Sequence, residues 1–192
     1  YTGFILPGLI VLVSFSACSS GGIMNYMMKA DGSFYRILIA PVCRSSIVLG
    51  QLLEAVLCTF LEVFIMAAIR LLFSVEFSAG IGAFLLAILL VFLAAFFISG
   101  MAYGISLILP NEVIYETVMN AIVLPLSFLS TALFPARGID GFLGVIVNLN
   151  PFTHIVNALR SLLLNGTLAT GELLFVIILY TAMGSISFGW AL

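Results

Sequence analysis

Five long apolar runs, separated by shorter polar stretches, organise this chain. They extend from about Gly3 to Met28, Ile47 to Phe73, Gly80 to Leu109, Thr117 to Phe134, and Gly171 to the end. Crossing ~30 Å of hydrocarbon takes about 20 residues of helix, so each run reads as a membrane span. Backbone groups in lipid are satisfied only within helices or closed barrels, and none of these runs shows the polar alternation of a barrel strand. The expected fold class is all-α, a polytopic transmembrane helix bundle with five spans.

The interruptions carry the remaining pattern. Lys29 to Arg44, KADGSFYRILIAPVCR, is the only charge-bearing segment between the first two runs. Within it Ser33 to Ala40 reads as a short amphipathic helix, started by Asp31 or Ser33 and ended by Pro41. The long connection 135–170 holds a second amphipathic helix, with Asn150 as N-cap, Pro151 at the first helical position and Asn165-Gly166 as the stop. Phe152, Ile155, Val156, Leu159, Leu162 and Leu163 share one face of it; His154, Asn157, Arg160 and Ser161 share the other. It is too short to span with comfort, so it is expected to lie in the interface or to enter the membrane as a re-entrant segment packed on protein. Pro125 in the fourth run removes a helical hydrogen bond and predicts a kink. Gly100 and Gly104 form a GxxxG pair beside Ser99, Ala102 and Ser106, which either lets another helix approach or reflects how common such residues are in membrane helices.

Composition sharpens the class. Of 192 residues 64% are hydrophobic and 7% charged, whereas soluble domains are about one quarter charged. Six basic residues are scattered along the chain and the net charge is -2, so nucleic acid is not expected as a partner. Cys18, Cys43 and Cys58 have no CxxC spacing, which suggests neither a disulfide framework nor a metal site. His154 has no Cys or carboxylate at ligand spacing, and is read as a polar-face residue. No GxSxG elbow appears, and the single lysine, Lys29, lies outside any GxxxxGK[ST] loop. Glu54 and Glu62 stand eight residues apart, ~12 Å along a helix, too far to share a proton. Glu62, the deeper one, either hydrogen-bonds a neighbouring helix or lines a path. The chain starts at Tyr1 rather than Met and stops inside an apolar run, so both ends are expected to be cut.

Two motifs in this order resemble the ABC-2-type permeases, the membrane subunits of ATP-binding-cassette exporters. The first is Gly32-Ser33-Phe34, Ile37-Leu38, Pro41-Val42-Cys43-Arg44 and Leu49-Gly50; the second is Phe134-Pro135, Asn150-Pro151-Phe152 and Ala158-Leu159-Arg160. Cys43 stands where the family usually has Ser, and Gln51 where it usually has Lys. The resemblance implies one transmembrane domain over residues 1–192, six spans of which the first is absent here, and a multi-pass place in the plasma membrane. It also implies that Lys29 to Arg44 is cytoplasmic and residues 135–170 external.

The same resemblance implies a transport subunit without its own ATPase site. ATP and Mg would be bound by a separate ATPase partner, a second permease copy would complete the unit, and drugs, lipids or lipid-linked sugars would be exported. The coupling loop would comprise Gly32, Ser33, Phe34, Arg36, Leu38, Pro41 and Arg44, with Phe34, Ile37 and Leu38 seated in the ATPase and Arg36 and Arg44 pairing with its acids or with lipid phosphates. Candidates for the path or its gate are Glu62, Asn120, Pro125, Pro135, Asn150, Pro151 and Arg160. A secondary transporter or a non-catalytic scaffold is the alternative that the residues leave open.

Overall fold

A computed structural model describes residues 2–39, 41–72, 81–131, 142–165 and 170–191. In order they form α1 (Thr2–Ala30), α2 (Ser33–Ile39), α3 (Arg44–Leu72), α4 (Ile81–Ile108), α5 (Glu112–Phe128), α6 (Phe142–Leu149), α7 (Pro151–Asn165) and α8 (Thr170–Ala191). Among the described residues there is no strand, so the all-α class holds.

Among the described residues four helices are long and apolar enough to cross a membrane: Pro7–Ala30, Arg44–Met66, Gly82–Ile108 and Gly171–Ala191. The expected fourth span is the exception. Its helix, α5, starts earlier, after the extended Asn111, and ends at Phe128, giving 17 residues, or ~25 Å at 1.5 Å per residue. The early stop has a local cause. Ser127 and Ser130 hydroxyls donate to the Leu124 and Ser127 carbonyls at 3.0 and 2.7 Å, and such bonds offer the backbone an alternative to the helical ladder.

The helix α4 is the hub. It packs against α1, α3, α5, α7 and α8, presenting small buried residues such as Ala87, Ala94, Ala95, Ser99 and Ala102. In lipid there is no hydrophobic drive between helices, so close backbone approach and van der Waals contact supply the association. The α4–α8 seam shows how close. A Cβ added to Gly100 would lie 2.6 Å from Ser187 Oγ, and one added to Gly104 would lie 2.7 Å from the Trp190 ring.

The amphipathic helix predicted after Asn150 is α7, with Phe152, Ile155, Val156, Leu159, Leu162 and Leu163 all buried. It packs on α1, α4 and α8. Its companion α6 had no counterpart in the sequence reading, because eight residues of mixed Gly, Val and Leu carry too little periodicity to separate a helix from a loop.

Chain direction places the ends of α1, α4 and α8 and the starts of α3 and α5 together with residues 29–44. This is called the basic end; α6 and α7 lie toward the opposite end.

Candidate functional site

At the basic end Gly32 turns the chain. Its φ of +73° is a left-handed conformation that costs other L-residues roughly 1–2 kcal/mol, and its N–H donates to the Lys29 carbonyl at 3.3 Å. That turn closes α1 and lets α2 begin at Ser33. Lys29 ties the two helices, its Nζ lying 5.3 Å from the Tyr26 ring centroid and 5.5 Å from that of Phe34, within cation–π range.

The faces of α2 differ from the expected ones. Phe34 and Ile37 turn inward and line a cavity of this chain with Met28 and Arg44. Tyr35, Arg36 and Ile39 are presented outward, Ile39 being 84% exposed. In a seven-residue helix with apolar residues on both faces, periodicity cannot say which face is taken up internally, and here α1, α3 and α4 decide it. Pro41 and Arg44 are exposed; the Leu38 side chain lies outside the described residues.

A second feature runs along α1 and α5. On α5, Val113, Glu116, Thr117, Asn120, Ala121, Leu124, Pro125 and Phe128 are all exposed, at intervals of three and four that mark one helix face. Adjacent α1 exposes Ser16 and Ser20. The hydroxyls of Ser20 and Thr117 donate to carbonyls of their own helices at 3.1 and 2.8 Å, while Asn120 makes no side-chain hydrogen bond among the described residues. This outward surface carries a carboxylate and an amide, which lipid does not solvate.

Behind it, α5 is fastened to α1 by Tyr115, which is fully buried and donates its hydroxyl to the Ser19 carbonyl at 2.8 Å. A Cβ on Gly22 would collide with the Tyr115 hydroxyl and ring carbon. Along the sequence the signal for this pair is Gly21-Gly22 in the middle of an apolar run, which does not by itself name Tyr115 as the partner.

Toward the opposite end, α7 holds the end of α5 at two points. Asn150 Nδ2 donates to the Leu126 carbonyl at 2.7 Å, and its Oδ1 accepts from the Phe152 N–H at 3.0 Å, which caps α7. Arg160 Nη2 donates to the Thr131 carbonyl at 2.7 Å, and Thr131 Oγ1 to Asn157 Oδ1 at 2.9 Å. Burial lowers the Arg160 pKa from its ordinary value; the guanidinium stays charged all the same, and these acceptors offset the cost of burying it. Arg160→Met is expected to destabilise the protein in detergent by about 1.5–3 kcal/mol, measured as a lowered thermal midpoint; an unchanged midpoint would show the clamp to be idle. Pro151 follows the cap, and Pro135 lies outside the described residues.

Glu62 is placed elsewhere. It belongs to α3, one of its carboxylate oxygens is buried without a hydrogen-bond partner, and it is an electrostatic neighbour of Cys18 on α1. Cys18 in turn lies 3.4 Å from Thr59 Oγ1. The structure therefore gathers Asn120 and Pro125 on one outward face, Asn150 and Arg160 on the α5–α7 clamp, and leaves Glu62 in the α1–α3 contact. His154 Nε2 is 2.8 Å from the Asn148 carbonyl and its ring meets Phe175 edge to face.

Comparison with known proteins adds a family. The sequence profile described as ABC-2 type transporter matches residues 2–164. The chain is 27% identical over 170 residues to "Putative transport permease ycf38" of Cyanophora paradoxa, covering 84% of this chain and 56% of that protein. It is 25% identical over 161 residues to the protein of the same name from Porphyra purpurea, covering 83% and 55%. It is also 27% identical over 170 residues to "ABC transporter G family member 20" of Dictyostelium discoideum, covering 86% of this chain and 23% of that protein. The chain thus spans about half the length of the ycf38 relatives and about a quarter of the third.

Proposed function

The chain belongs to the ABC-2 type transporter family, and from that premise we propose that it is the permease part of an ABC exporter working as a pair of copies in the plasma membrane. The outward faces of α1 and α5 meet across the pair and form the translocation path. ATP and Mg are held by a separate ATPase subunit or domain, which docks on α2 at the cytoplasmic, basic end. Drugs, lipids and lipid-linked sugars are the substrate classes that suit such a path, since its wall mixes Leu124 and Phe128 with Asn120 and Glu116.

The observation that supports the pairing is the polar stripe itself. The outward face of α3 is more apolar along its length, with Leu53, Leu57, Leu61, Phe64 and Ile65 exposed and Glu54, nearer the basic end, as its exposed carboxylate. A carboxylate or amide facing hydrocarbon is costly, by ~2.5–3.5 kcal/mol for a charged side chain near a helix centre. A second copy, with water between the two, removes that cost. ATP-driven closure at the basic end would then move α1 through α2, with the α5–α7 clamp at the far end as the gate.

Cysteine cross-linking tests the arrangement. With exposed Cys43 and Cys58 replaced by Ser and buried Cys18 kept, Asn120→Cys is expected to give a covalent dimer on mild oxidation in the membrane. Leu57→Cys on the lipid-facing side of α3 is expected to stay monomeric. The reverse outcome would place the pair interface on α3 and sink the proposed path.

A further inference from the structure

At the basic end, where α1, α3, α4 and α8 terminate around α2, lies a cavity of about 230 Å³, space for roughly eight water-sized groups. Its walls are largely apolar, including Met28, Ile37, Val48 and Leu107, one from each of four helices. Two polar side chains join them. Arg44 is exposed, with its guanidinium available to a ligand. Tyr103 is only 6% exposed, yet its hydroxyl has no hydrogen-bond partner among the described residues. A phenol hydroxyl on a cavity wall with no partner in the protein can donate to a ligand there. The cavity therefore combines apolar walls with a guanidinium and a phenol hydroxyl, both hydrogen-bond donors.

From these features we infer that the cavity binds an anionic phospholipid, with part of an acyl chain among the apolar walls and the phosphate between Arg44 and the Tyr103 hydroxyl. Charge complementarity selects the headgroup. Lys29, Arg36 and Arg44 fall in one segment with Asp31 as its single acidic residue, and a guanidinium presents a planar fork that matches phosphate. Depth selects the tail, because an apolar cavity at the ends of spanning helices opens at the membrane–water boundary, where lipid is the abundant amphiphile. The lipid would then act as a wedge between α2 and the bundle, touching Phe34 and Ile37 from the inside while the outer face of α2 stays available. The inference needs only the membrane setting of the chain, and lipid retention is measured without transport, so it stands or falls apart from the exporter reading.

Native mass spectrometry of the protein purified in detergent, with phosphatidylglycerol, phosphatidylcholine or inorganic phosphate added, tests it. Phosphatidylglycerol is expected to be retained at least fivefold better than phosphatidylcholine, and Arg44→Gln and Tyr103→Phe are each expected to reduce that retention fivefold or more. Tyr103→Phe keeps the ring and its packing, so its thermal midpoint is expected to match that of the parent, which separates a lost acceptor contact from a lost fold. Equal retention of the two lipids, undiminished retention in both variants, or full competition by inorganic phosphate would each overturn the assignment.

Discussion

Replacing Ile39 by Asp is expected to abolish ATP-driven transport while the chain still inserts and folds. Ile39 is 84% exposed at the tip of α2, with Tyr35, 62% exposed, one turn before it. A residue so exposed contributes almost nothing to packing within the chain, and surface substitutions of this kind usually change stability by less than about 0.5 kcal/mol. In a docked complex the same residue would be a central apolar anchor. Losing an anchor at an interface centre costs about 2 kcal/mol or more, roughly a 30-fold loss of affinity, and a buried unpaired carboxylate adds to that. The measurement is co-purification of the ATPase together with transport in vesicles. Loss of both with a normal thermal midpoint is expected; retention of both would remove α2 as the docking element. Phe34→Asp is a poor substitute for this test, since Phe34 faces the internal cavity and Lys29 and its loss would disturb the chain itself.

Gly22→Val is expected to give the largest loss of stability among single changes in the spans. The new side chain would enter the space of the Tyr115 hydroxyl and ring, and Tyr115, fully buried, has no open side to swing toward. Overpacking of this kind costs typically ~1–3 kcal/mol, and the hydrogen bond to the Ser19 carbonyl contributes about 1 kcal/mol more. The contrast with Gly104 is instructive, because the Trp190 ring it faces is 52% exposed and has room to move aside. Tyr115→Ala clears the collision, so the double variant is expected to be less destabilised than the sum of the two single variants, the signature of residues in direct contact. Thermal unfolding in detergent provides the comparison; additive effects would show that Gly22 and Tyr115 do not meet. Since this contact joins α1 to α5, a loosened pair is also expected to weaken transport.

Much of the fold was legible along the chain because lipid imposes a simple rule. Span length and apolar content located α1, α3, α4 and α8, and an Asn-Pro start with helical spacing located α7 down to the residues it buries. The motif from Gly32 to Arg44 and the Asn150-to-Arg160 motif pointed to the family that residues 2–164 match. The end of α5 was harder to read, because Ser127 and Ser130 bond locally and Thr131 bonds across to α7 in a stretch whose composition still reads as span.

Membership of a membrane bundle, its helical class, its transport family and the position of its basic segment were thus determined by the sequence alone, since each depends on local composition or on short motifs. Which way each helix turns was decided only in the tertiary structure. The Gly22–Tyr115 contact joins residues far apart in the sequence, the cavity that Phe34 turns toward is also lined by Tyr103 and Ala191, and the outward stripe of Asn120 is set by which face of α5 packs on α1. In a helix that is apolar nearly all round, such as α4 or α8, periodicity carries no directional signal. The neighbour that comes closest, through a glycine or an alanine, sets the face.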